Sequence, residues 1–133
     1  MPVLPNKKKE QFPTELQTPF ACDLTVMSPK ERDGYRQDRT IIFDSVQQTR
    51  EMPDGYAFRL QAESSMIVRV ARWIGTERLC CPFFGFTIEI EREHGPIWLR
   101  INGGAGAKDF MKEEFGIDAL MTKHSIEQTG IPR

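Results

Sequence analysis

Two adjacent thiols, Cys80 and Cys81, stand immediately before Pro82, and Glu77 lies one helical turn earlier. Thiolates are soft ligands and nucleophiles, and a carboxylate is a hard ligand or a proton carrier, so this group points to thiol chemistry or soft-ion binding. A bond between the two neighbours is disfavoured. Adjacent Cα atoms sit about 3.8 Å apart across a trans peptide, below the roughly 4.4 Å lower limit of ordinary disulfides. Proline after Cys81 moves that residue out of helical dihedrals, so the two sulfurs are free to converge. Cys22 is the third cysteine and would reach them only by way of the N-terminal segment. An odd number of cysteines, two of them adjacent, is not a secreted disulfide framework, and in a reducing compartment all three are expected as free thiols or thiolate ligands. The expected ligand set is therefore Cys22, Cys80, Cys81 and Glu77, and the expected guest is a soft ion such as Hg(II), Cu(I) or arsenic. Zinc fits poorly, because the chain has no C-x-x-C pair and no two-histidine ligand spacing. His94 falls at a hairpin tip and His124 near the C-terminus.

Two other readings stay open. Unpaired cysteine acts as a small hydrophobe and is among the most buried residue types, so Cys80 and Cys81 can be plain core in a structural or interaction domain. A thiol enzyme is the third reading and the weakest. The negative end of a helix raises thiol pKa, and no histidine is near in sequence to serve as base. The balance is against an enzyme.

These residues need elements to position them. Ser28-Pro29-Lys30-Glu31 is a capping box with proline at the first helical position, which predicts a short helix over 29–37. The run from Thr40 to Thr49, which opens on Thr40, Ile41 and Ile42, reads as a strand, closed by the turn residues Pro53, Asp54 and Gly55. Tyr56, Phe58 and Leu60 alternate with Ala57, Arg59 and Gln61, the pattern of a half-buried antiparallel strand. Ser64 or Ser65 then caps a helix reaching Cys80, whose apolar face carries Met66, Val70, Trp73 and Ile74. At about 100° per residue, Glu77, Cys80 and Cys81 project from that same face. A carboxylate there needs a partner, which the local sequence does not supply.

After Pro82, Phe84, Phe86, Ile88 and Ile90 alternate with polar residues, Glu93 to Pro96 form a turn, and Ile97, Leu99 and Ile101 alternate in the returning strand. The Gly103 to Gly106 run leads into a helix over 107–115, with Gly116 as its terminator. The phosphate-loop pattern is absent, since Asp109 follows Lys108 where a hydroxyl is required. The order is ββαββα, an α+β two-layer sandwich with a four-stranded antiparallel sheet, helices on one face, and a short helix in front. Residues 1–20 read as an N-terminal arm, 21–116 as a single domain, and 117–133 as a tail that is weakly helical and then frays. Trp98 falls on the polar sheet face, where an exposed aromatic would suggest a homodimer surface.

A formal net charge of −1 gives no global attraction to nucleic acid or to an anionic membrane. No run approaches the roughly 18 apolar residues of a membrane span, and no signal core follows the N-terminal lysines. A cytoplasmic protein is expected.

The run 77–86, Glu-Arg-Leu-Cys-Cys-Pro-Phe-Phe-Gly-Phe, followed by Gly95-Pro96-Ile97-Trp98-Leu99-Arg100-Ile101 and then 103–110, resembles a group of small bacterial proteins of unknown function. It is also similar to a domain appended to some mercury- or heavy-metal-responsive regulators. The likeness covers about 21–115 and includes Cys22-Asp23-Leu24-Thr25. It implies a cytosolic bacterial protein whose thiols Cys22, Cys80 and Cys81 meet soft metal. No helix-turn-helix segment is present, so the resemblance does not extend to DNA-bound regulation.

Overall fold

The structure, a computed structural model, describes the backbone of residues 21–130 and the side chains of residues 21–123. The expected arm, 1–20, lies outside the described residues. One turn of 3-10 helix, Leu24–Val26, precedes helix α1 (Pro29–Asp44). Strands β1 (Gln48–Met52) and β2 (Gly55–Leu60) form a hairpin. Helix α2 (Ser64–Cys80) leads to the second hairpin, β3 (Phe84–Ile90) and β4 (Ile97–Gly103), and helices α3 (Ala107–Glu114) and α4 (Ile117–Gly130) follow. The fold is α+β, with one antiparallel sheet in the order β1-β2-β4-β3.

The capping box forms as its sequence requires. Ser28 accepts from the Glu31 amide, and Glu31 accepts in return from the Ser28 amide. The helix it starts runs to Asp44, however, and the strand expected from Thr40 begins only at Gln48. Tyr35, Asp38 and Ile42 recur at helical spacing as the buried face, so packing overrides the strand preference of Thr40, Ile41 and Ile42. Helix α2 begins after Glu63, without the side-chain cap that Ser64 or Ser65 suggested.

The hairpins pair through β2 and β4, with Phe58 opposite Leu99 and Tyr56 opposite Ile101. Directly opposed residues of antiparallel strands share a face, so these apolar side chains form one surface with Phe86 and Ile88. Phe43 of α1 and Trp73 of α2 pack on it, Phe43 edge-on to Phe58 at 5.3 Å and Trp73 edge-on to Phe86 at 6.0 Å. Phe115 stacks on Phe43 at 4.9 Å and closes the layer. At Gly55 an added Cβ would lie 1.9 Å from the Ile101 carbonyl oxygen, so β2 and β4 can meet closely only without a side chain there. Gly116 sits at φ 61, the left-handed residue that ends α3 and turns the chain into α4. The C-terminal segment, read as weakly helical, forms a helix through Gly130; Ile117 is buried, and Leu120 and Met121 pack against the core.

On the opposite sheet face Trp98 is 4% exposed, not open as expected. The Arg50 guanidinium lies 4.6 Å from its ring centroid, and the short Ala57, which pairs with Arg50 in the intervening strand, leaves the space for that reach. The exposed aromatic that suggested a dimer surface is therefore covered within the chain.

Candidate thiol site

The C-terminal end of α2 turns the chain at Cys81, whose amide donates to the Glu77 carbonyl before Pro82 stops the helix. The 3-10 turn and the residues before it are drawn onto this end, the Asp23 amide donating to the Cys80 carbonyl at 2.8 Å. Cys22 is thereby placed beside Cys81, and the two form a disulfide across a Cα to Cα distance of 4.8 Å. Three free thiols were expected; Cys80 alone is free. The cause lies in the tertiary structure, because the bonded pair is separated by 59 residues and nothing local to Cys81 marks its partner.

Cys80, Cys81 and Glu77 are all 0% exposed, and Cys22 is half-buried. The Tyr35 hydroxyl, from α1, donates to Glu77 Oε1. The Cys80 thiol reaches the same oxygen at 3.7 Å and the Glu77 carbonyl at 3.6 Å. Glu77 Oε2 is buried with no hydrogen-bond partner. Burial raises the Glu77 pKa, with the Tyr35 hydrogen bond and the Arg39 charge opposing. The nearby Arg39 is itself engaged by Glu114, its Nη1 donating to Glu114 Oε2 at 2.9 Å. Burial also raises the Tyr35 phenol and pushes the Cys80 thiol up to about 11, each reinforced by the Glu77 charge. Cys80 is therefore a protonated thiol near neutral pH and a poor nucleophile.

Of the four expected ligand residues, the structure gathers three. One ligand atom each from Cys22, Glu77 and Cys81 lies within 4.8 Å of the other two. Cys80 adjoins this group through Glu77 but is not one of the three. Tyr35 was not anticipated. Its place in the first helix was legible from the capping box, but its partner is 42 residues away.

Two other signals are absorbed by the fold. Lys108, in the first turn of α3 after the glycine-rich run, pairs with Glu51 at 2.6 Å and stands over the Tyr56 ring. His94 sits exposed in the β3 to β4 turn at φ 60. A groove of about 630 Å³ runs between α1 and α2, lined in part by Val26, Gly34, Tyr35, Trp73, Thr76 and Leu79. Tyr35 thus belongs both to this groove and to the thiol site. No protein family, curated protein or solved structure matches the chain.

Proposed function

We propose that the chain is a binding module for a soft metal or metalloid, held by the Cys22 and Cys81 sulfurs once their disulfide is reduced. Glu77 supplies an oxygen beside them. The observation that carries this reading is the coincidence, within 4.8 Å, of two sulfurs with a fully buried carboxylate that no cation hydrogen-bonds. Burying such a carboxylate is unfavourable by several kcal/mol on the order-of-magnitude scale of unpaired buried ions. A core that gained only packing from this position would hold an apolar residue there. Soft ions favour thiolates over water and carboxylates alone, so the sulfurs set the class of ligand and Glu77 refines it. This reading requires a reducing compartment such as the cytoplasm, where small-molecule thiols would keep the pair open.

The deciding measurement is thiol titration of the reduced protein with and without stoichiometric Hg(II) or phenylarsine oxide, repeated on Cys22→Ser and Cys81→Ser. Protection of two thiols per chain in the wild type, lost in either variant, is the expected result, together with a ligand-dependent rise in Tm. Full thiol reactivity in the presence of both ligands would end this reading. The alternative is a structural domain in which the disulfide only fastens the N-terminal segment to α2. It is favoured by one observation, the Asp23 to Cys80 backbone hydrogen bond that makes the same attachment without sulfur.

A further inference from the structure

The orphaned Glu77 oxygen and the spacing of the two cysteines say more about the ligand than its softness. Resting on the reading above, we infer that the reduced site takes a hydroxylated trivalent metalloid, arsenous acid being the type, bound as a dithiolate that keeps one hydroxyl against Glu77 Oε2. Cys22 and Cys81 have Cα atoms 4.8 Å apart, and their sulfurs are bonded to each other when oxidised. A linear two-coordinate ion needs its sulfurs on opposite sides of the metal. Trivalent arsenic carries a lone pair, is pyramidal, and holds two sulfurs on the same side with a small bite. The cysteine geometry therefore matches arsenic better than Hg(II).

The third position of the pyramid identifies the rest. Buried polar atoms are nearly always hydrogen-bonded, and Glu77 Oε2 is an exception, on a carboxylate that brings one of its oxygens within 4.8 Å of both sulfurs. Its companion Oε1 is held by the Tyr35 hydroxyl, which fixes the carboxyl in place. A retained As–OH is the group that would satisfy the free oxygen. A carbon substituent at that position would not.

Binding proceeds by ligand exchange without redox change at arsenic. Two As–O bonds and two S–H bonds break, two S–As bonds form, and each departing hydroxide takes one thiol proton and leaves as water. Arsenic remains trivalent and keeps its third hydroxyl. The disulfide is opened beforehand by two equivalents of a small-molecule thiol, which leave as their own disulfide.

The test uses the reduced 133-residue chain and two probes, arsenite and phenylarsine oxide, the second having a phenyl carbon in the third position. Calorimetric titration of wild type, Glu77→Gln and Glu77→Leu should show arsenite affinity retained in the Gln variant, whose amide can still hydrogen-bond. The Leu variant should lose about tenfold, the effect of deleting one buried hydrogen bond. Phenylarsine oxide affinity should be the same in all three. X-ray absorption at the arsenic edge on the wild type reports the donor set directly and does not depend on the variants folding. Two sulfurs and one oxygen are expected, and three sulfurs, with Cys80 as a ligand, would overturn the inference. So would equal sensitivity of both probes to Glu77→Leu, or none. Binding of phenylarsine oxide without arsenite would defeat this inference alone, whereas failure of both probes and of Hg(II) would defeat the broader reading with it.

Discussion

Helices α1 and α2 each bury one carboxylate against the other, and the two are served very differently. Asp38 of α1 receives Arg69 Nη1, Arg72 Nε and Arg72 Nη2, each at 2.8 Å, so both of its oxygens are paired with cations. Glu77 of α2 receives a phenol and a thiol on one oxygen and nothing on the other. The electrostatic results are opposite as well. Hydrogen bonding from Arg72 holds the Asp38 carboxyl below the usual carboxylate range, whereas burial lifts Glu77 above it. A buried acid with complete partners explains itself as a clamp between helices. One left incomplete beside sulfur has no such account.

The contrast can be broken or sharpened in four ways. The largest expected effect concerns the covalent tie at the Glu77 end. Reduction, or Cys22→Ala, should lower unfolding free energy by about 4 kcal/mol, the scale for a loop of this length. Urea denaturation with and without reductant measures it, and phenylarsine oxide should restore much of the loss in the reduced wild type but none in Cys22→Ala. Next comes Asp38→Asn. It leaves Arg69 and Arg72 with water in place of a carboxylate and should destabilise by about 2 kcal/mol, since charge-assisted hydrogen bonds are lost but the half-exposed Arg72 can rehydrate. Arsenical binding should not change. If it does, the two carboxylates are not separate devices. Tyr35→Phe should cost about 1 kcal/mol, one neutral donor to Glu77 being removed. Arsenite affinity should fall with it, because the carboxyl is no longer fixed.

The smallest effect is in the pH dependence. A carboxyl whose folded pKa is depressed contributes stability above its unfolded value of about 3.9 and loses it as pH falls through the folded pKa. Asp38→Asn should therefore flatten the acid limb of stability against pH, below about pH 4, and leave the neutral slope alone. Glu77, raised in the folded state, acts with the opposite sign, and its contribution weakens as pH climbs above its unfolded value. Denaturation midpoints measured from pH 3 to 8 on Asp38→Asn and Glu77→Gln would separate the two limbs; identical profiles would erase the distinction.

Much of this architecture could be read from local patterns. The alternating runs around Phe58, Ile88 and Leu99 became strands, the Pro53 to Gly55 turn fell where expected, and the apolar face of α2 carried Glu77 and Cys80 inward. Residues 40–44 are helical although Thr40, Ile41 and Ile42 prefer strands, because the Tyr35, Asp38 and Ile42 spacing continues a helix and tertiary packing decides between the two. The site was half legible for a related reason. Glu77, Cys80 and Cys81 share one helix, so their common face follows from periodicity. Tyr35 and Cys22 come from elsewhere in the chain, and only the packing of α1 on α2 and the Asp23 to Cys80 hydrogen bond bring them in.

Only Pro82 and Phe83 separate Cys81 from the first residue of β3, and β3 lies at the rim of the sheet, paired along one flank to β4. A shift of that sulfur is passed almost directly to a ladder with half the support of its inner neighbours. Opening or closing the Cys22–Cys81 bond should therefore register in hydrogen exchange at the amides of Phe84 to Ile88, on an edge strand of the sheet.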